Sequence, residues 1–96
     1  MDRALAARML EVVQDIPPGR VATYGDVAAR AGSASPRFAG WVLAHLSDET
    51  TPWHRVIRAD GRLVAALREE QSRRLRTEGV PVDDGRVDLA HYRLRE

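Results

Sequence analysis

What most constrains this chain is the placement of its helix breakers. Pro17-Pro18-Gly19 and the run Gly32-Ser33-Ala34-Ser35-Pro36 divide the first half into three short helical segments. In the first, residues 2–16, Leu5, Met9, Val12, Val13 and Ile16 recur at helical spacing, and Asp2 stands where a side chain can cap the start. Thr23, followed three residues later by Asp26, reads as a capping box that opens a second helix, closed at Gly32. Ser35-Pro36 supplies an N-cap and a proline at the first helical position of a third, residues 36–46, with Phe38, Trp41, Val42 and Leu46 along one face. Joined by Ala31-Gly32-Ser33-Ala34, the second and third segments make a helix-turn-helix.

The second half is punctuated differently. Residues 55–64 carry β-branched side chains around Asp60-Gly61, a two-residue hairpin signal, and predict the wing that often accompanies a helix-turn-helix. Residues 66–78 predict another helix, with Leu67, Gln71 and Leu75 on one side and Gly79 as its stop. Its Arg73-Arg74-Leu75-Arg76 cluster either touches phosphate or forms a solvated face. The tail, residues 80–96, holds Pro81, Asp83-Asp84-Gly85 and a last apolar set, Leu89, Tyr92 and Leu94, which is expected to fold back and close the core. The expected fold is mostly α, a helix-turn-helix or winged-helix-like single domain over residues 1–96 with a short β-hairpin wing.

Composition excludes several classes. With 44% hydrophobic residues the chain supports a folded core, and with no cysteine it has neither a disulfide nor a thiolate. No apolar run approaches a membrane span, and Met1-Asp2-Arg3 lacks a signal-peptide profile, so a cytoplasmic protein is expected. A net charge of +1 does not by itself announce a nucleic-acid partner. Its distribution says more, because residues 20–45 hold Arg20, Arg30 and Arg37 against the single acid Asp26. All 15 basic residues are arginine, which suits phosphate contact and stacking but equally follows from codon bias in a GC-rich genome.

The stretch Pro52-Trp53-His54-Arg55-Val56 resembles the active-site motif of the O6-alkylguanine-DNA alkyltransferases, with Trp53 where that family has the cysteine that accepts the alkyl group. Upstream, Ile16-Pro17-Pro18-Gly19-Arg20-Val21-Ala22-Thr23-Tyr24-Gly25-Asp26-Val27-Ala28 is similar to the family's approach to its DNA-binding helices, and Arg37 stands where the family places an intercalating arginine. Downstream, Asp60-Gly61, Gln71, Leu75 and Glu78-Gly79-Val80 continue the pattern, so the likeness runs from about Ile16 to the end. A chain of this kind without the cysteine resembles the alkyltransferase-like proteins. The additional N-terminal domain that many of the transferases carry is not expected here.

The resemblance implies a set of roles. Tyr24 and Arg37 are the implied base-flipping pair, the tyrosine pressing on the 3′ phosphate of the target nucleotide and the arginine filling the vacated stack, with the small residues Ala34, Ser35, Ala39 and Gly40 letting backbone approach the minor groove. Tyr24, Trp53, His54, Arg55, Val56 and, across an alignment gap, Arg68 are the implied lesion pocket. Trp53 is then a wall against an alkylated base, although a core tryptophan is the alternative. His54 and Glu78, which in the family help to deprotonate the cysteine, become structural relics, with no catalytic residue, metal or cofactor expected. The implied partners are double-stranded DNA containing O6-alkylguanine and the damage-recognition proteins of nucleotide excision repair. The implied state is a cytoplasmic monomer with no membrane contact, associated with the bacterial nucleoid when bound to DNA.

Some positions depart from the family's pattern. Trp41 replaces a small residue, Ser47-Asp48-Glu49 replaces an asparagine-containing turn, and Val64-Ala65-Ala66-Leu67-Arg68 replaces a glycine-rich loop. Two other classes compete with the lesion sensor. A winged-helix transcription factor would dimerise and read a palindrome in the major groove, and a hydrolase would use His54 and Glu78 with water as nucleophile.

Overall fold

The computed structural model describes residues 1–95, and its first half follows the capping signals. Asp2 Oδ1 accepts the Leu5 amide at 2.9 Å and starts α1 (Arg3–Gln14), which buries Ala6, Met9 and Val13. Past Pro17-Pro18-Gly19 the chain enters β1 (Ala22–Thr23) and then α2 (Tyr24–Arg30). The capping box is complete: Thr23 Oγ1 accepts the Asp26 amide at 3.0 Å, and Asp26 Oδ2 accepts the Thr23 amide at 3.1 Å. Ser35 Oγ accepts the Phe38 amide at 3.0 Å and opens α3 (Pro36–Leu46) with proline in its first turn. The helix-turn-helix is therefore α2 and α3, joined across Gly32 at φ +86°.

The second half departs from expectation at the wing. Asp60-Gly61 does turn the chain, with the Arg58 amide donating to Arg62 O at 3.0 Å, but the two arms do not pair further with each other. The first arm, β2 (Val56–Ile57), lies parallel to β1, Ala22 opposite Val56 and Thr23 opposite Ile57. The second arm crosses to the C-terminal segment, where the Leu63 amide donates to Gly85 O at 3.0 Å and Val87 N donates to Gly61 O at 2.9 Å. The expected β-hairpin wing is thus corrected to a parallel two-stranded ribbon plus a separate bridge at Arg62 and Arg86. Local turn chemistry was right, and distant partners outcompeted the adjacent arm for its hydrogen bonds.

After a 3-10 turn over Ala65–Leu67 comes α4 (Arg68–Thr77), a start two residues later than expected, and then α5 (Leu89–Tyr92). The tail does fold back. Val21 N donates to Tyr92 O at 2.9 Å, Leu94 N donates to Val21 O at 2.7 Å, and Arg93 Nε binds Asp26 Oδ2 at 2.9 Å. Among the described residues no helix is long and apolar enough to cross a membrane.

Two apolar clusters meet at the ribbon. One gathers Met9, Val13, Ile16, Val27, Ala39 and Val42 from the first three helices, and the other gathers Leu63, Leu75, Val80, Val82 and Val87. Because side chains alternate along a strand, Ala22 and Val56 face the first cluster while their neighbours Val21 and Ile57 face the second. Each half of the chain thereby lends a valine to the other half's core.

Gly61 is the point where the two crossing segments press together. At φ +84° a side chain is already strained, and a Cβ there would lie 2.6 Å from Val87 O, a backbone atom that cannot move aside. Gly32, at φ +86°, faces open space. Gly61→Ala is expected to cost roughly 2–4 kcal/mol of stability and Gly32→Ala about 1 kcal/mol, read as shifts in denaturant midpoint. Equal costs at the two sites would refute the close-contact account.

Candidate functional site

The turn that carries the Pro52-Trp53-His54-Arg55-Val56 motif is held from behind by one carboxylate. Glu78, at the C-cap of α4, accepts His54 Nε2–H at 2.8 Å, Arg55 Nη2–H at 2.7 Å and Arg55 Nε–H at 3.0 Å. The Gly19 amide approaches the same carboxylate at 3.4 Å, and Arg55 Nη1 donates to Ile16 O at 2.8 Å. Gln71, buried on α4, donates through Nε2 to His54 O at 3.0 Å and Val56 O at 2.9 Å. Burial resists ionisation of Glu78, but the hydrogen bonds from Arg55 and His54 outweigh it and hold the pKa down at about 2. His54 Nδ1, the other ring nitrogen, is buried and without a hydrogen-bond partner.

His54 and Arg55 converge on Glu78, whereas Trp53 forms part of an apolar cavity of about 510 Å³. Tyr24 at the start of α2 faces it, α3 contributes Gly40, Leu43 and Ala44, Ser47 follows at the end of that helix, and Val64 and Leu67 close the rim. A Cβ at Gly40 would touch the Tyr24 ring at 3.9 Å, so a larger side chain there would push into the cavity. Trp53 is half-buried, packing on the first cluster while it lines the cavity, so it is both wall and scaffold. The Arg74 guanidinium lies 5.3 Å from its ring centroid and is held by Glu70 at 2.7 Å.

Adjoining the cavity at Tyr24 and Gly40 lies an open hollow lined also by Arg37, Arg58, Pro36 and Asp60. Both arginines are exposed, and neither has an ion-pair partner among the described residues. Burial raises the pKa of the Tyr24 hydroxyl, and the nearby Arg58 charge pulls it partly back. A shallower hollow along α4 is lined by Glu69, Glu70, Arg73 and Arg76, where Glu70 is paired with Arg73 and Arg74. Among the described residues no group of three His, Cys, Asp or Glu side chains could hold a metal ion.

Of the six residues expected to form the lesion pocket, Tyr24 and Trp53 line the apolar cavity, with Gly40 from the expected DNA-contact set. The other four do not line it. His54 and Arg55 are occupied by Glu78, Val56 is fully buried in the first cluster, and Arg68 pairs with Asp84 at 3.3 Å beside Gly85. Arg37 sits at the mouth of the neighbouring hollow, Ala34 is exposed in the turn, and Ser35 serves as the N-cap. His54 and Glu78 are joined by a hydrogen bond of 2.8 Å. Sequence reasoning missed Leu43, Ala44 and Ser47, which helical spacing from Gly40 places on its own face, and Arg58, which follows from pairing Thr23 with Ile57. Val64 and Leu67 carried no local signal.

Fold and site together define a DNA-repair-type domain with an indole in the wall of its cavity. The model of the 6-O-methylguanine DNA methyltransferase, DNA binding domain, matches residues 4–80, and this chain belongs to that family as an alkyltransferase-like member without cysteine. A DNA base-flipping protein of Escherichia coli is 43% identical over 91 residues, covering 90% of this chain and 70% of the relative. Alkyltransferase-like protein 1 of Schizosaccharomyces pombe is 37% identical over 93 residues, covering 91% and 84%. The chain spans only 32% of another relative, a bifunctional methyltransferase/endonuclease of Picrophilus torridus, 37% identical over 94 residues. Among solved structures, S. pombe Atl1 in complex with damaged DNA containing O6-carboxymethylguanine superposes with a TM-score of 0.89 at 32% identity, covering 100% of this chain and 98% of that one.

Loss of the Glu78 charge strands the Arg55 guanidinium, of which only 14% of the side chain is exposed. Glu78→Gln is expected to destabilise the fold by roughly 2–4 kcal/mol, measured by chemical denaturation at neutral pH. Because the folded pKa lies below the ordinary 4.5, Glu78's contribution is complete above that value and is lost as pH falls toward about 2. The variant's stability should therefore vary less than wild type across that acid window. Parallel curves for the two proteins would contradict it.

Proposed function

We propose that this chain is a non-enzymatic sensor of O6-alkylguanine in duplex DNA. It approaches by the minor groove, turns the modified base out of the stack and holds it in the cavity between Tyr24 and Trp53. The observation that carries the reading is an apolar cavity walled by those two aromatic rings, with the unpaired guanidiniums of Arg37 and Arg58 just beyond Tyr24. Arginine at that rim suits the phosphate backbone, while the cavity suits a base removed from water. The base-flipping and alkyltransferase-like names of relatives, and the damaged DNA bound by S. pombe Atl1, support the same reading.

Extruding a base costs a few kcal/mol, and Arg37 offsets part of that by entering the gap from the exposed start of α3. Tyr24, packed against Gly40, presses on the flanking phosphate. Trp53 occupies the position of the family's alkyl acceptor and carries no nucleophile, so the alkyl group stays on the base. The bound complex then serves as a mark for the damage-recognition proteins of nucleotide excision repair, with the protein acting as a monomer in the cytoplasm and on the nucleoid.

Duplexes identical except for guanine or O6-methylguanine test this directly. Preferential binding of the modified duplex is expected, with both partners unchanged in mass afterwards. Transfer of a methyl group to the protein, or its loss from the DNA, would make the chain an enzyme instead. Arg37→Ala and Tyr24→Ala are each expected to weaken lesion binding by about 1–3 kcal/mol. Arg58→Ala should weaken binding to both duplexes alike and reduce the slope of log affinity against log salt by about 1. In a Trp41→Phe background, Trp53→Ala should erode lesion preference at a stability cost below the roughly 3–5 kcal/mol of a fully buried tryptophan. Undiminished preference in that variant would reduce Trp53 to scaffolding.

A further inference from the structure

Resting on the lesion-sensor reading, we infer that the cavity selects O6 substituents that are electrically neutral and discriminates against anionic ones of the same size. Three of its lining residues have polar side-chain groups, Tyr24, Ser47 and Trp53, and none of them is charged. The remaining wall is aliphatic. No cation belongs to the lining itself. Arg74 stacks behind Trp53 and is bound to Glu70 at 2.7 Å, and Arg68 is drawn to Asp84 at 3.3 Å. Arg37 and Arg58 line the adjoining hollow, which shares Tyr24 and Gly40 with the cavity. A carboxylate carried into the cavity would lose water and find no counter-ion among the residues that line it, a situation that proteins otherwise avoid.

Leu67 points the same way. It is 44% exposed, one of few large apolar side chains left in solvent, and it stands at the cavity rim on the turn before α4. A surface leucine at the mouth of an apolar cavity gains burial only when an apolar ligand covers it. A neutral branched alkyl group does so, whereas a charged group would hold water against it. The cavity, at about 510 Å³, has room for substituents larger than methyl.

A set of duplexes bearing O6-methyl-, O6-isobutyl-, O6-carbamoylmethyl- or O6-carboxymethylguanine separates charge from size, since the last three are close in volume. Measured at one fixed salt concentration, isobutyl should bind at least as tightly as methyl, and carboxymethyl roughly tenfold or more weaker than isobutyl. The neutral carbamoylmethyl duplex should bind closer to isobutyl than to carboxymethyl. Carboxymethyl binding within threefold of isobutyl overturns the inference, and so does carbamoylmethyl binding as weak as carboxymethyl, because size or polarity would then be the discriminant. Leu67→Arg adds a cation at an already exposed position. It should narrow the gap between carboxymethyl and isobutyl severalfold with the thermal midpoint unchanged, and an unaltered gap counts against the inference. If none of the four modified duplexes were preferred over guanine, the sensor reading itself would fall, an outcome distinct from equal preference for all four.

Discussion

The ionised carboxylate of Glu78 is the interaction on which the geometry of this protein depends. It is reached by a histidine and an arginine from the motif turn and by the amide of Gly19 from the turn after α1, and Arg55 extends the link to Ile16 O. One acidic group thus ties the end of α4 to two other segments. A partly buried charge is tolerated only when its lone pairs are filled, and here Arg55 supplies the compensating charge in a forked geometry lysine could not reproduce. The consequence for the site is directional. With His54 and Arg55 fastened behind, the turn has one side chain left to present forward, and that is Trp53.

The site divides its labour by polarity. The cavity is aromatic and aliphatic, and the charges stand outside its lining, in the adjoining hollow or bound to carboxylates near Trp53 and beside Gly85. Tyr24 is the partition. Its ring lines both the cavity and the arginine hollow, and its position is set by the capping box at the start of α2 and by the bare backbone of Gly40. Apolar lining and free guanidinium charge are thereby kept in two adjoining hollows that share one ring.

Legibility in the sequence tracked how local the determining physics is. The three N-caps, Asp2, Thr23 and Ser35, act within three residues of themselves and announced their helices correctly. Asp60-Gly61 announced its turn for the same reason, but the partners of its arms, Ala22-Thr23 and Gly85, are remote in sequence and no local pattern names them. Within the motif, Trp53 lines the cavity, whereas His54 and Arg55 are drawn to Glu78 and Val56 enters the core, contacts made with segments remote in sequence. Arg68 was misplaced because its contact with Asp84 depends on how the tail returns. Leu43, Ala44 and Ser47 were within reach of the helical period, whereas Val64 and Leu67 depend on tertiary closure alone.

The exchange of valines at the ribbon bears on how the molecule comes apart. Val21 belongs to the cluster built mostly from the second half, and Val56 to the one built mostly from the first. Neither half can keep a complete core if the other opens, since withdrawing either strand removes a fully buried side chain from the remaining cluster and breaks the shared ladder as well. Subglobal opening that frees one half while the other persists is thereby penalised, and the two clusters behave as a single cooperative unit despite their separate locations. The cavity spans the seam, with Leu43 from the first half and Val64 from the second. Its shape is accordingly protected by the global stability of the domain rather than by the weaker local stability of either wall.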